Sequence, residues 1–201
     1  MTFDSSEAIA RRWANGSGTR IYAIDGRSGA GKSTLARKIR EQIKAANPSV
    51  RVILIEVENH IPGWNGLVDG VQNIADDILE PFLANGYFSA RGWNWYTSRW
   101  NPPRRHPARG RAEILLLVGC GSTSLACAPY LRESVWIEAP KAVRRARVTA
   151  REGDPGEWWE LWARQEEALL AQRNSPAQAD FVLPSAELAT AQDAEHIHNR
   201  N

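Results

Sequence analysis

The octapeptide Gly26-Arg27-Ser28-Gly29-Ala30-Gly31-Lys32-Ser33, with Thr34 behind it, has a chemistry that can be stated from residue type and spacing alone. Its glycines let successive backbone N–H groups turn inward and form an anion nest. A helix beginning at the lysine aims its N-terminus at the same spot, which further favours bound phosphate. In this pattern Lys32 reaches the β and γ phosphates, Ser33 offers its hydroxyl to Mg²⁺, and Thr34 supports the nest. The spacing G-x-x-x-x-G-K-[ST] is met in full, while the G-x-G-x-x-G of a dinucleotide site is not. ATP and Mg²⁺ are therefore the expected ligands.

Two further groups of residues fit phosphate chemistry. Arg144, Arg147 and Arg151 recur at helical spacing, so they share one face and can form a basic lid over bound ATP. The turn-forming stretch EGDPGE follows, which suits a hinge. The alternative is a solvated basic face paired with Glu152 or Glu157. Nearer the middle, Trp64, Trp93, Trp95 and Trp100 lie close in sequence to Arg99, Arg104 and Arg105. Trp64 and Trp95 could stack on a ring in an acceptor pocket, with Arg99 and its basic neighbours near an acceptor phosphate. Equally, the tryptophans could pin a structureless loop to the core. Aromatics interleaved with arginines also suit single-stranded nucleic acid, but a net charge of only +2 argues against that partner.

The elements that must position these groups follow from periodicity. A helix over residues 5–14 precedes an apolar strand, Arg20 to Asp25, which runs into the glycine-rich turn. Leu35, Ile39, Ile43 and Ala46 make a helix of 32–46, stopped by Asn47-Pro48. VRVILIEV (50–57) has the unbroken apolar character of a buried parallel strand. Val71, Ile74, Ile78 and Phe82 predict a helix over 68–83. From 85 to 111 periodicity fails, and an irregular Trp- and Arg-rich insertion is expected. Strands are predicted at 113–119 and 134–140, a lid over 141–157, a helix on to Gln172 and a short fifth strand at ADFVLP. A polar tail closes the chain over 185–201, and its His196 and His198 lack the carboxylate or cysteine partners of a metal site. Alternating strands and helices predict a single α/β P-loop domain over 1–201, with a five-stranded, mainly parallel sheet covered by helices on both faces.

Composition narrows the class. The 201 residues suffice for one sizeable core. Cys120 and Cys127 form neither a disulfide framework nor a C-x-x-C pair, and no signal peptide or membrane-spanning run is visible, so the expected compartment is the cytoplasm. The chain is short for a helicase, lacks the N-K-x-D of a guanine site and lacks an LSGGQ-like stretch. What remains is a small kinase-like protein, in which catalysis is mostly positioning and charge neutralisation.

IDGRSGAGKSTLA, PGWNGL, GCGS, APYL, VWIEAP and WARQEEALL, in that order, resemble the small actinobacterial-type P-loop proteins of the uridine kinase-like group over about 20–183. The resemblance implies a nucleoside-kinase-like fold that transfers the ATP γ-phosphate to a small hydroxyl or phosphate acceptor. It leaves that acceptor and the oligomeric state open. In such proteins the segment before PGW carries D-D-x-Y, whose first aspartate is the acceptor base and whose tyrosine stacks on a pyrimidine. Here the register gives Glu58, Asn59, His60 and Ile61, so Glu58 is the candidate base, with Lys32, Arg147 and Arg151 as its catalytic partners. Strand alternation puts Glu56 on the same side as Glu58. The acid expected before the glycine of the third strand is Val118, so Asp25 or Glu58 would have to serve the metal's water. Asn94 likewise replaces an aspartate. These changes raise an alternative: a nucleotide-binding protein with little or no transfer, whose ATP state sets the tryptophan-rich loop for a partner.

Overall fold

The structure, a computed structural model, describes residues 5–185. His196, His198 and all but the first residue of the expected polar tail lie outside the described residues. The central sheet has five strands: β1 (Arg20–Asp25), β2 (Val52–Glu56), β3 (Ile114–Val118), β4 (Glu133–Glu138) and β5 (Phe181–Pro184). Their order is β2-β3-β1-β4-β5 and every pairing is parallel. The first strand of the chain thus lies at the centre, where the order reverses and a crevice opens beyond the carboxyl ends of the strands.

Helices cover both faces, as a parallel sheet requires. On one face lie α1 (Ser6–Ala14) and α2 (Lys32–Ala46), whose Trp13, Leu35, Ile39 and Ile43 bury against Tyr22, Ile24, Leu116 and Val118. Ser5 caps α1 by accepting from the Ala8 N–H at 3.3 Å. On the other face Leu67, Val71, Ile74, Phe82, Trp162 and Leu169 pack against Ile21, Ile55, Leu115 and Leu117. Alternation along β3 therefore sends Leu115 and Leu117 to one layer and Leu116 and Val118 to the other.

Two expectations change. The helix expected over 68–83 is α3 (Leu67–Ile74) and α4 (Glu80–Asn85), joined by a π turn over Ala75–Leu79. Pro81 in the first turn of α4 has no N–H to give the preceding turn. The Glu80 N–H instead reaches back to the Ala75 carbonyl, the wider π step. The insertion at 85–111 is not irregular but a nested hairpin. Phe88–Ala90 pairs antiparallel with Arg104–His106, and inside it Trp93–Asn94 pairs with Arg99–Trp100. Its strands have two or three residues each, too few for an alternating pattern to show in sequence.

The remaining helices follow β4: α5 (Lys141–Glu152), α6 (Gly156–Gln172) and the short α7 (Ser175–Gln178). Among the described residues no helix is long and apolar enough to cross a membrane.

Candidate active site

The glycine-rich turn leaves the buried β1 and enters α2 through Gly31, which has the left-handed φ of +105°. Gly29 also has positive φ, and a Cβ there would collide with the carbonyl of Arg144. Only glycine lets α5 pack this closely on the loop. Ser28, Gly29, Gly31, Lys32, Ser33 and Thr34 line a cleft of about 820 Å³ at the ends of the central strands. Gly26, Arg27 and Ala30 shape the loop without lining the cleft, and Arg27 faces α6, paired with Glu167 at 2.8 Å.

Lys32 is buried, with its Nζ 3.1 Å from both the Arg27 carbonyl and the Cys120 Sγ. Burial opposes its charge, but the Cys120 sulfur and the Glu58 and Glu166 carboxylates outweigh that and hold the ammonium above its ordinary pKa. Glu166, on α6, accepts from the Ser28 N–H at 2.7 Å and from the Cys120 thiol at 3.1 Å. Burial keeps that thiol protonated far above its usual range. Lysine, thiol and carboxylate thus form one buried network fixing the loop to α6. Nothing in the sequence marks Glu166, because its partners arrive from two distant segments.

Glu58 stands in the 3₁₀ turn Val57–His60 that follows β2, half-buried and lining the cleft with Glu56. The turn can approach the end of β3 because residue 119 is glycine. A Cβ there would fall 2.5 Å from the Val57 Cβ and 2.7 Å from the Glu58 Oε2. Burial raises the Glu58 pKa above the ordinary carboxylate value; Lys32 and the Cys120 N–H pull the other way, and the Glu56 charge adds to the rise.

The other carboxylate considered for the metal's water does not reach the cleft. Asp25 is 2 % exposed and accepts from the N–H groups of Gly26 (2.7 Å), Gly121 (3.1 Å) and Thr123 (2.9 Å), and from the Thr123 hydroxyl (2.6 Å). It ties the glycine-rich turn to the loop after β3. Val118, 1 % exposed, is core beneath α2. Ile61 is core on the opposite face, and Asn94 uses its side-chain oxygen to hold the hairpin turn through the Tyr96 and Thr97 N–H groups.

Of the basic helix face, Arg147 and Arg151 line the cleft and Arg144 does not. Arg144, 8 % exposed, donates to the Ala139 and Ser28 carbonyls at 3.1 Å each, so it straps α5 to the loop rather than waiting for a phosphate. Burial lowers its pKa, while the nearby Glu166 charge raises it. Arg147 reaches the Ala30 carbonyl (3.3 Å) and the Ser185 hydroxyl (3.0 Å). Arg151 is exposed and paired with Glu152 at 2.5 Å.

The opposite wall is aromatic. Trp64, 41 % exposed, stacks on Trp158 at 4.5 Å and leans on Trp95 at 4.7 Å, with Trp162 edge-on behind. Trp95 donates its ring N–H to the Glu58 carbonyl at 2.9 Å, linking the hairpin to the candidate base. Trp93 and Trp100 pair across the hairpin, and Arg99 is exposed there without lining the cleft. Sequence reasoning missed Arg37, Trp158 and Trp162 as cleft residues. The α6 stripe carrying the two tryptophans has ordinary core periodicity and gives no sign that its first turns face a cavity.

The donors also suit a P-loop Mg²⁺, which one hydroxyl, phosphate oxygens and waters hold without a protein cage. The Ser33 hydroxyl shares the cleft with Glu56 and Glu58. Among the described residues no cluster of three or more His, Cys, Asp or Glu could hold a metal by itself.

No family model and no curated protein matches this sequence. Solved structures do. A possible uridine kinase from Bacillus stearothermophilus superposes with a TM-score of 0.66 at 14% identity, covering 89% of this chain and 97% of that one. A protein assigned provisionally as a fructose transport system kinase from Silicibacter sp. TM1040 gives 0.62 at 14% identity, covering 90% of this chain and 100% of the other. At such identity the likeness is one of fold: the five-stranded parallel sheet of small P-loop kinases.

Proposed function

We propose that this protein is an ATP-dependent kinase that transfers the γ-phosphate to a small-molecule acceptor held against the tryptophan wall. The observation that carries this reading is one cleft lined by Lys32, Ser33 and the half-buried Glu58. Lys32 and the N–H groups of the glycine-rich turn hold the β and γ phosphates, and Arg147 and Arg151 spread the charge that develops on them. Bound Mg²⁺, taken up through Ser33, would neutralise phosphate charge. The acceptor oxygen attacks the γ-phosphorus, the bond to the β–γ bridging oxygen breaks, ADP leaves, and the acceptor proton passes to Glu58. A carboxylate with a raised pKa is better matched to that proton than an ordinary one. Trp95 supports the base by bonding its carbonyl.

A second reading, nucleotide binding without transfer, is favoured by Val118 and by the four donors that occupy Asp25, which leave Glu56, Glu58 and the Arg151-paired Glu152 as the carboxylates lining the cleft. Incubation with ATP, Mg²⁺ and a panel of alcohols and phosphates separates the two. Acceptor-dependent ADP release, lost in Lys32→Ala and in Glu58→Gln, is expected for the kinase. Tight ATP binding with no turnover on any acceptor would establish the second reading instead.

A further inference from the structure

The cations of the cleft, Lys32, Arg37, Arg147 and Arg151, come from the glycine-rich turn, α2 and α5, the side where nucleotide phosphates would sit; the Glu152 carboxylate that lines the same side is paired with Arg151. The remaining wall consists of Glu56, Glu58, Trp64, Trp95, Trp158 and Trp162, with no lysine, arginine or histidine among them. Arg99, Arg104 and Arg105, the hairpin arginines expected near an acceptor phosphate, do not line the cleft. Arg105 donates to the Pro107 (2.6 Å) and Gly110 (2.8 Å) carbonyls and lies 4.0 Å over the Tyr87 ring. Arg91 lies over Trp100 at 5.3 Å, and Arg99 is exposed on the hairpin. Arg104 borders a separate cavity of about 320 Å³, which Glu56 also borders.

The two carboxylates of the acceptor wall differ in their compensation. Glu58 interacts with the Lys32 charge. Glu56 makes no ion pair among the described residues, and its hydrogen-bond partner is the neutral Asn59 amide at 3.3 Å. An uncompensated carboxylate beside an aromatic wall disfavours an anion and accepts hydroxyl or ammonium donors.

We infer that Glu56 is a specificity-determining residue that makes the acceptor an unphosphorylated alcohol with a flat or apolar face, and that rejects phosphate esters of the same alcohol. This rests on the kinase reading and deepens it, because a phosphate acceptor is removed from the two classes that reading admits. A ring seats on Trp64 and Trp95, its hydroxyl faces Glu58, and a phosphate on the same ring would meet the Glu56 charge.

The test uses matched pairs: a nucleoside and its 5′-monophosphate, a hexose and its 6-phosphate, an amino alcohol and its phosphate ester. Binding is read from quenching of intrinsic tryptophan fluorescence without ATP, and turnover from ADP release with ATP and Mg²⁺. In at least one pair the free alcohol is expected to bind tenfold or more tightly than its ester. Glu56→Gln is expected to narrow that gap about tenfold, and Glu56→Asp, which keeps the charge, to restore it. A purely structural role for Glu56 would weaken both members of a pair alike and leave the ratio unmoved, which overturns the inference. So does an ester that binds as well as the most tightly bound alcohol of the panel, through Arg104 or otherwise, and so does the absence of any alcohol-over-ester preference across the panel. Discrimination in binding without ADP release leaves the inference standing and removes the kinase reading.

Discussion

Glu58, the candidate base, comes from the turn after β2 and packs against the end of β3. Gly119 makes this approach geometrically possible by lacking the Cβ that would strike Glu58 and Val57. In the proposed role of base, Glu58 must be ionised to act. Glu58→Gln is expected to lower kcat by about 10²- to 10⁴-fold, the usual contribution of a positioned general base, with ATP affinity retained. Because burial raises its pKa, the acid limb of kcat/KM should fall off above the ordinary glutamate range as pH drops. A pH profile of ADP release checks both the position of that limb and its loss in the variant. The candidate base was legible in sequence only through its register with a motif. Its raised pKa was not, since that depends on Lys32, Cys120 and Glu56 converging from separate segments.

At the scale of elements, α5 does different work from what its stripe of arginines suggests. Arg144 and Arg147 sit on one helical face, yet the first is buried against main-chain carbonyls and the second borders the cleft. Arg144→Ala leaves the Ser28 and Ala139 carbonyls short of a donor, a loss of about 1–3 kcal/mol of stability. Thermal unfolding should show that loss directly. Arg147→Ala should instead raise KM for ATP with a smaller change in the unfolding midpoint, measured on the same two variants. The helix itself was readable from its spacing; the division of labour along it was not, because a 1.5 Å rise per residue cannot say which side chain meets a neighbouring loop. The hairpin was hidden for a related reason, its strands being held by partners across a turn rather than by any pattern of their own.

For the molecule as a whole, two cores on opposite faces of one sheet carry the stability, and the cleft stands at the end of the central strands. Trp13 anchors the α1 side: it is fully buried, stacks on Tyr22 at 4.3 Å and donates its ring N–H to Glu133 at 2.9 Å. Trp13→Ala should cost about 3–5 kcal/mol, seen as a lower denaturant midpoint, while kcat of the folded fraction stays unchanged because the cleft is lined by other elements. By itself the sequence determined the glycine-rich turn, the alternation of strands and helices and hence the parallel sheet, because backbone conformation and hydrophobic period are local properties of the chain. Only the tertiary structure decided which carboxylates and tryptophans face the cleft and which of Asp25, Arg144 and Arg99 do not. Burial, charge compensation and the aim of a side chain are set by neighbours from distant parts of the sequence, and no spacing along the chain encodes them.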